Sequence, residues 1–164
     1  MAETAFAEIG GMKETDPTFL DSAFTTNEAR LNTVIRYLRE NTSVKGKVVL
    51  DIGCGAGAYL DLFHKEGALR CIGVDLSFEN IALAKKINPS ACLVQGDYMK
   101  VSIPEKADLI FSEGAIPCFA ETFSQAIQKC SQDLKQGGEI FITHARRTFK
   151  SALVWAVAES LHVL

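Results

Sequence analysis

A chain of 164 residues is long enough for one domain with a buried core, and its 48% hydrophobic content is that of a globular protein. Seventeen basic against twenty acidic residues give a net charge of −3, and no Lys/Arg block exceeds Arg146-Arg147 with nearby Lys150, which argues against a nucleic acid partner held through its phosphates. The five cysteines (Cys54, Cys71, Cys92, Cys118 and Cys130) show no C-x-x-C spacing and no histidine pair stands at metal-ligand spacing, so reduced thiols and no metal are expected.

The N-terminus, Met1-Ala2-Glu3-Thr4-Ala5, has neither a basic nor an apolar signal region, and the longest apolar run, Ala152 to Ala158, is too short to cross a bilayer. The expectation is a cytoplasmic protein with no membrane association. Residues 1–24 carry Gly10-Gly11 and Asp16-Pro17 as breakers among aperiodic apolar residues, and read as a flexible tail ahead of a domain spanning 25–164.

From Thr25 the pattern becomes helical. Thr25 and Glu28 have capping-box spacing, and Leu31, Val34, Ile35 and Leu38 recur on one face up to about Asn41, leaving Arg30, Arg36 and Arg39 for solvent. Next comes Val48-Val49-Leu50-Asp51-Ile52-Gly53-Cys54-Gly55-Ala56-Gly57, an apolar strand that opens into three alternating glycines. Such glycines accept positive φ and let a ligand lie against bare backbone.

A glycine-rich turn between strand and helix commonly takes a pyrophosphate at the helix N-terminus. Here Asp51 stands two residues before the first glycine, where its charge repels a pyrophosphate and suits an ammonium or sulfonium. No Gly-Lys-Ser/Thr ending follows, which excludes a P-loop.

Tyr59, Leu62 and Phe63, stopped by Gly67, predict the first crossover helix, with His64 as a surface residue. A second strand, Cys71-Ile72-Gly73-Val74-Asp75-Leu76, ends on an acid able to accept two hydrogen bonds from a ribose diol, a feature that fits NAD and an adenosyl ligand alike. Ser77 then caps a helix that Asn88-Pro89 terminates. A third strand, Cys92-Leu93-Val94-Gln95-Gly96-Asp97-Tyr98, places another acid where an adenine amino group could donate to it.

Only about eleven residues, with Pro104 among them, separate this strand from the fourth, so that crossover is short or lacks a helix. Phe123, Ala126, Ile127, Cys130 and Leu134 mark one more helical face, and Gly137-Gly138 turns the chain into strand five, Glu139 to Thr143. The alternation predicts an α/β fold, a Rossmann-like, doubly wound parallel sheet of about five strands. Asp51, Asp75, Asp97 and Glu113 all fall at the carboxyl ends of strands, where ligands bind in such sheets.

Taken together, these stretches resemble the class I S-adenosylmethionine-dependent methyltransferases. Asp51 to Gly57 is similar to the family's glycine-rich motif, Gly73 to Ser77 to its ribose motif and Gln95-Gly96-Asp97 to its adenine motif; Ala107 to Ala115 and Leu134 to Ile142 resemble its fourth and fifth strands. The resemblance implies S-adenosylmethionine as cofactor, S-adenosylhomocysteine as product, a lid over the site as the alternative to a tail for residues 1–24, and cofactor-binding roles for Asp51, Gly53, Cys54, Gly55, Gly57, Asp75, Leu76, Asp97, Tyr98 and Glu113. Ser112-Glu113-Gly114-Ala115-Ile116-Pro117 stands where the base-modifying branch has Asn/Asp-Pro-Pro-aromatic, so the acceptor implied is a small molecule. Glu113 is the candidate to hold the cofactor's ammonium or face the acceptor, and His144 the candidate proton acceptor.

Family members usually continue past strand five with a helix and strands six and seven. Here the residues after strand five, Leu153, Val154, Trp155, Val157, Leu161, Val163 and Leu164, read as one helix apolar on nearly all sides. That leaves strand five as an open apolar edge, and a homodimer through strand five or this helix is the expectation that follows. A cofactor-binding subunit without catalysis, or a truncated inactive relative, is the alternative to an active enzyme, and an NAD-dependent oxidoreductase is a third reading that Asp51 disfavours.

Overall fold

The computed structural model describes residues 27–116, 123–144 and 152–157, with side chains described within 31–116 and 123–142. The chain divides into two compact units, Met1–Ser43 and Val44–Leu164. In the first, α1 (Asn27–Asn41) has the expected exposed Arg36 and Arg39, and closes with Asn41 Nδ2 donating to Tyr37 O at 2.8 Å. The expected lid or tail over 1–24 and the capping residue Thr25 lie outside the described residues.

The second unit alternates β1 (Val48–Ile52), α2 (Ala58–Lys65), β2 (Arg70–Asp75), α3 (Phe78–Ile87), β3 (Cys92–Gln95), β4 (Ala107–Glu113), α4 (Phe123–Asp133), β5 (Leu134–His144) and β6 (Ala152–Val157). The strands form one sheet in the order β3-β2-β1-β4-β5-β6. The first five are parallel, and the order reverses beside β1, the switch point whose crevice at the carboxyl ends of the strands takes the ligand in sheets of this kind. No helix interrupts the path from β3 to β4, as the short Pro104 segment predicts.

Side-chain alternation along the strands divides the core between two faces. On one, Val48, Leu50, Ile52, Ile110 and Ile140 pack with Ala126 and Cys130 of α4. Across the other runs an aromatic stack: Tyr59 and Phe63 of α2 lie 4.7 and 5.2 Å from the Phe111 ring, and Phe141 lies 5.6 Å beyond it. Phe63, Phe111 and Phe141 are fully buried, so this stack carries much of the dispersion and transfer energy of that face.

Two expectations are corrected beyond β4. Strand five begins at Leu134 rather than Glu139, because Ala107 pairs with Leu134 and Leu109 with Glu139; the Gly137-Gly138 pair lies in the excess length between, Gly137 at φ 74°. The larger correction concerns the terminal apolar run. Leu153, Val154, Trp155 and Val157 form no helix but lie in β6, antiparallel to β5, with Phe141 opposite Trp155 and His144 opposite Ala152.

The β-branched and aromatic residues of that run favour a pleated strand, and the open β5 ladder offers it a full set of backbone partners. Strand five is therefore covered by this chain's own β6 and is not the open edge from which a homodimer through strand five was expected. Leu161, Val163 and Leu164 lie outside the described residues.

At the amino ends of the central strands, Asp108 Oδ2 accepts from Val48 N and from Lys135 Nζ, both at 2.8 Å, while Lys47 Nζ lies 3.2 Å from Glu139 Oε2. Burial alone would raise the Asp108 carboxyl, but the Lys135 and Val48 hydrogen bonds and the nearby ammonium charges hold it below its ordinary value. A depressed carboxylate stabilises the fold above its unfolded value and loses that contribution as pH falls through the folded one. Asp108→Ala is expected to cost about 1–3 kcal/mol at neutral pH, and the difference from wild type in urea unfolding should shrink below about pH 4.

Candidate functional site

The turn after β1 is built by three glycines with φ of 75° (Gly53), 52° (Gly55) and 86° (Gly57), a region that costs a side-chain-bearing residue strain. Their surroundings separate their roles. A Cβ on Gly53 would stand 2.3 Å from Ala115 Cβ, and one on Gly57 2.7 Å from Asn88 Nδ2, so these two are required by packing. A Cβ on Gly55 would meet nothing within 4 Å among the described residues, so the backbone there is open to them on its outer side. Asn88 is buried and donates from Nδ2 to Gly57 O at 2.8 Å, pinning the start of α2 to the end of α3.

Asp75, at the end of β2, organises the neighbouring loops. Its Oδ2 accepts from Gly55 N at 2.8 Å; its Oδ1 accepts from Ser77 N at 2.9 Å and Asn80 Nδ2 at 3.2 Å. Ser77 caps α3 as expected, its hydroxyl accepting from Asn80 N. Next to Asp75, Leu76 is about half exposed and Phe78 more so, giving the rim an apolar edge.

The turn after β3 is tied to β2 by Gly96 N donating to Asp75 O at 2.9 Å. Within it, Asp97 Oδ1 accepts from Met99 N at 2.9 Å, and its Oδ2 lies 3.1 Å from the ammonium of Lys100.

Asp51 lies deepest, 1% exposed, and its buried Oδ2 has no hydrogen-bond partner among the described residues. Burial, and then the charges of Glu113 and Asp75, push its carboxyl well above the ordinary range. A group of three acids thus surrounds the glycine turn. The buried Ser112 hydroxyl joins the ends of β1 and β4, donating to Ile52 O at 3.0 Å and accepting from Ile116 N at 3.2 Å, and so fixes the backbone on either side of Glu113. Burial, followed by the charge of Asp51, raises the Cys54 thiol far above its usual value and Cys71 to about 11, so neither is an activated nucleophile.

A methyltransferase domain family matches residues 50–142, from β1 to β5. The chain belongs to this family. Two relatives are ubiquinone biosynthesis O-methyltransferases: that of Dechloromonas aromatica is 32% identical over 136 residues, covering 79% of this chain and 57% of the relative. That of Escherichia coli O9:H4 is 30% identical over 125 residues, covering 73% and 51%. The chain thus spans about half the length of these relatives. A solved S-adenosylmethionine dependent methyltransferase from Mesorhizobium loti shares the fold, with a TM-score of 0.61 at 23% identity over 74% of this chain and 63% of that one.

In this methyltransferase domain Asp51, Gly53, Cys54, Gly55, Gly57, Asp75, Leu76, Asp97 and Glu113 all lie on the loops and strand ends bordering the crevice. Tyr98 does not present its ring there: it is 3% exposed, packed in the core, and its hydroxyl donates to Asp133 on α4 at 2.8 Å. Its neighbour Asp97 lies in the same turn, which is why adjacency in sequence suggested a shared role. His144 ends β5, one position beyond Thr143, the partner of Glu113; its side chain lies outside the described residues. Sequence reasoning missed Ser112, Asn80 and Asn88. Asn80 was detectable from its place three residues after the cap Ser77, whereas the tertiary bonds of Ser112 and Asn88 leave no local signal.

Asp51 also yields a stability prediction. A carboxyl raised by folding contributes fully below its unfolded value, 3.8, and loses that contribution as pH climbs toward the folded value. Asp51→Asn is therefore expected to raise the urea midpoint of the ligand-free protein at pH 7, with a gain that vanishes below about pH 4.

Proposed function

We propose that this domain binds S-adenosylmethionine over the carboxyl ends of β1, β2 and β3 and serves methyl transfer to an oxygen of a small-molecule acceptor. The observation that carries the reading is the buried, unpartnered Oδ2 of Asp51 beneath a glycine turn, with Glu113 and Asp75 as its charged neighbours. Such a site disfavours a pyrophosphate and suits a ligand bearing an ammonium and a sulfonium. The same argument disfavours NAD. The names of the relatives support an oxygen acceptor, and the net charge of −3 supports a small molecule over nucleic acid. A cytoplasmic setting is part of this reading.

The residues present fit the ligand group by group. Asp75 has acceptor capacity for about four hydrogen bonds and uses three, so one ribose hydroxyl adds directly and a second replaces the Asn80 amide. Asp97 accepts from the adenine amine, Leu76 supplies apolar contact to its ring, and the open backbone at Gly55 takes the amino-acid portion. Asp51 and Glu113 hold the ammonium. The sulfonium supplies an already activated methyl, so the protein's contribution is mainly alignment and exclusion of water. An acceptor hydroxyl must also lose its proton, and His144, at the end of the strand that pairs with that of Glu113, is our candidate to take it.

Calorimetry and a methyl-transfer assay test this. Wild type is expected to bind S-adenosylmethionine and S-adenosylhomocysteine with micromolar affinity. Gly55→Ala should lose at least about tenfold in affinity at a cost of only about 1 kcal/mol in stability, because its Cβ enters ligand space rather than protein. Gly53→Ala should instead destabilise the fold by about 2–4 kcal/mol through the Ala115 clash. Unchanged affinity in Gly55→Ala would contradict the placement, and binding without transfer to any small-molecule hydroxyl would support a cofactor-binding subunit instead.

A further inference from the structure

Tyr98 is a polar residue in an apolar place. It sits in the core beside Ile110, Ala126 and Cys130, yet its hydroxyl lies 2.8 Å from Asp133 Oδ2 and 3.6 Å from Cys130 Sγ. The one phenolic proton goes to the carboxylate, the shorter contact and stronger acceptor, leaving the Cys130 thiol placed to donate to the phenolic oxygen. Lys129 completes the group, its ammonium 3.2 Å from Asp133 Oδ2 and 4.9 Å from the Tyr98 ring centroid. The side chains of Lys129 and Asp133 are only 17% and 15% exposed.

Packing does not require this arrangement. Removing an ion pair and a phenol from water carries a desolvation cost that a phenylalanine against apolar neighbours would avoid. What the hydroxyl adds is direction: residue 98 is fixed against the end of α4, where the chain enters β5.

That direction matters because of the adjoining residue. The bonds that hold Asp97 are local, from Met99 N to its Oδ1, from Lys100 N and Val101 N to its carbonyl, and from the 79% exposed Lys100 ammonium to Oδ2. Such bonds shape the turn without fixing its place on the sheet. Gly96 N on Asp75 O anchors it on one side of Asp97, and Tyr98 anchors it on the other.

We infer that Tyr98, held by Asp133 and Lys129, is a positioning residue for the adenine subsite, fixing the turn that aims the Asp97 carboxylate at the exocyclic amine. The inference rests on the proposed adenosyl site and adds a residue that acts through Asp97 without touching the ligand.

Calorimetry on the full chain separates this role from a structural one by comparing S-adenosylhomocysteine with its analogue carrying unsubstituted purine in place of adenine. Wild type should prefer the adenine ligand by about tenfold or more, the worth of a hydrogen bond to a charged acceptor. Tyr98→Phe should bring that preference to within about twofold while leaving affinity for the purine analogue within about twofold of wild type. Asp133→Asn, which still accepts from the phenol, should keep most of the preference, and Asp133→Leu should lose it.

Equal weakening of both ligands in Tyr98→Phe and Asp133→Leu would overturn the inference in favour of plain structural support, as would an unchanged preference. A wild type that binds both ligands equally would overturn the role of Asp97 and this inference together, leaving the rest of the site standing. A wild type that binds neither would overturn the functional reading itself.

Discussion

The carboxylate of Asp75 locks together segments that the β1–β2 pairing has already brought side by side, with Gly53 N and Cys54 N both donating to Val74 O. Gly55 N, Ser77 N and the Asn80 amide converge on it, so the glycine turn after β1, the end of β2 and the first turn of α3 become one rigid surface. The Gly55 amide has a charged acceptor in place of solvent, and the negative charge sits favourably at the N-terminus of a helix. Glycine turns left of the usual backbone region have many alternatives in the unfolded chain, and this bond selects one of them in advance of ligand. The adenine-side turn is hung from the same residue, through the backbone carbonyl of Asp75.

The two ends of the sheet differ in how they handle charge. At the amino ends the acids are matched, Asp108 by Lys135 and Glu139 by Lys47, and these contacts join β1, β4 and β5. At the carboxyl ends Asp51 is buried with acidic neighbours and an oxygen left without a partner. That concentration is unfavourable to folding, and the aromatic stack from Tyr59 to Phe141 together with the apolar packing beneath α4 offsets it. A buried carboxyl group among acidic neighbours is predisposed to a cationic ligand, because binding relieves a cost already carried by the fold.

Most of the parallel core was legible in the sequence because its signals are local. Apolar runs ending on Asp51, Asp75 and Glu113, the Ser77 cap and the Asn88-Pro89 stop each state an element boundary in adjacent residues. The run from Ala152 to Val157 was misread because apolar residues on all sides fit a buried helix or a strand equally, and the choice was made by the unpaired ladder of β5, a partner distant in sequence. Tyr98 was misplaced for a similar reason. Its neighbourhood to Asp97 is local, but the Asp133 and Lys129 that turn it into the core belong to α4, far along the chain. Ser112 and Asn88, both buried and bonded to backbone across the fold, left no trace in residue spacing.

The central claim is that the acids at the ends of β1, β2 and β3 read one adenosyl ligand, with Asp51 at its cationic end. A crystal structure of the chain grown with S-adenosylhomocysteine tests it most directly. The account predicts the ribose hydroxyls on Asp75, the adenine amine on Asp97 and the ammonium on the side of Asp51 and Glu113, with the Gly53–Gly57 turn in its present conformation. Density for the ligand elsewhere on the domain, or in the crevice with its ribose away from Asp75, would contradict it.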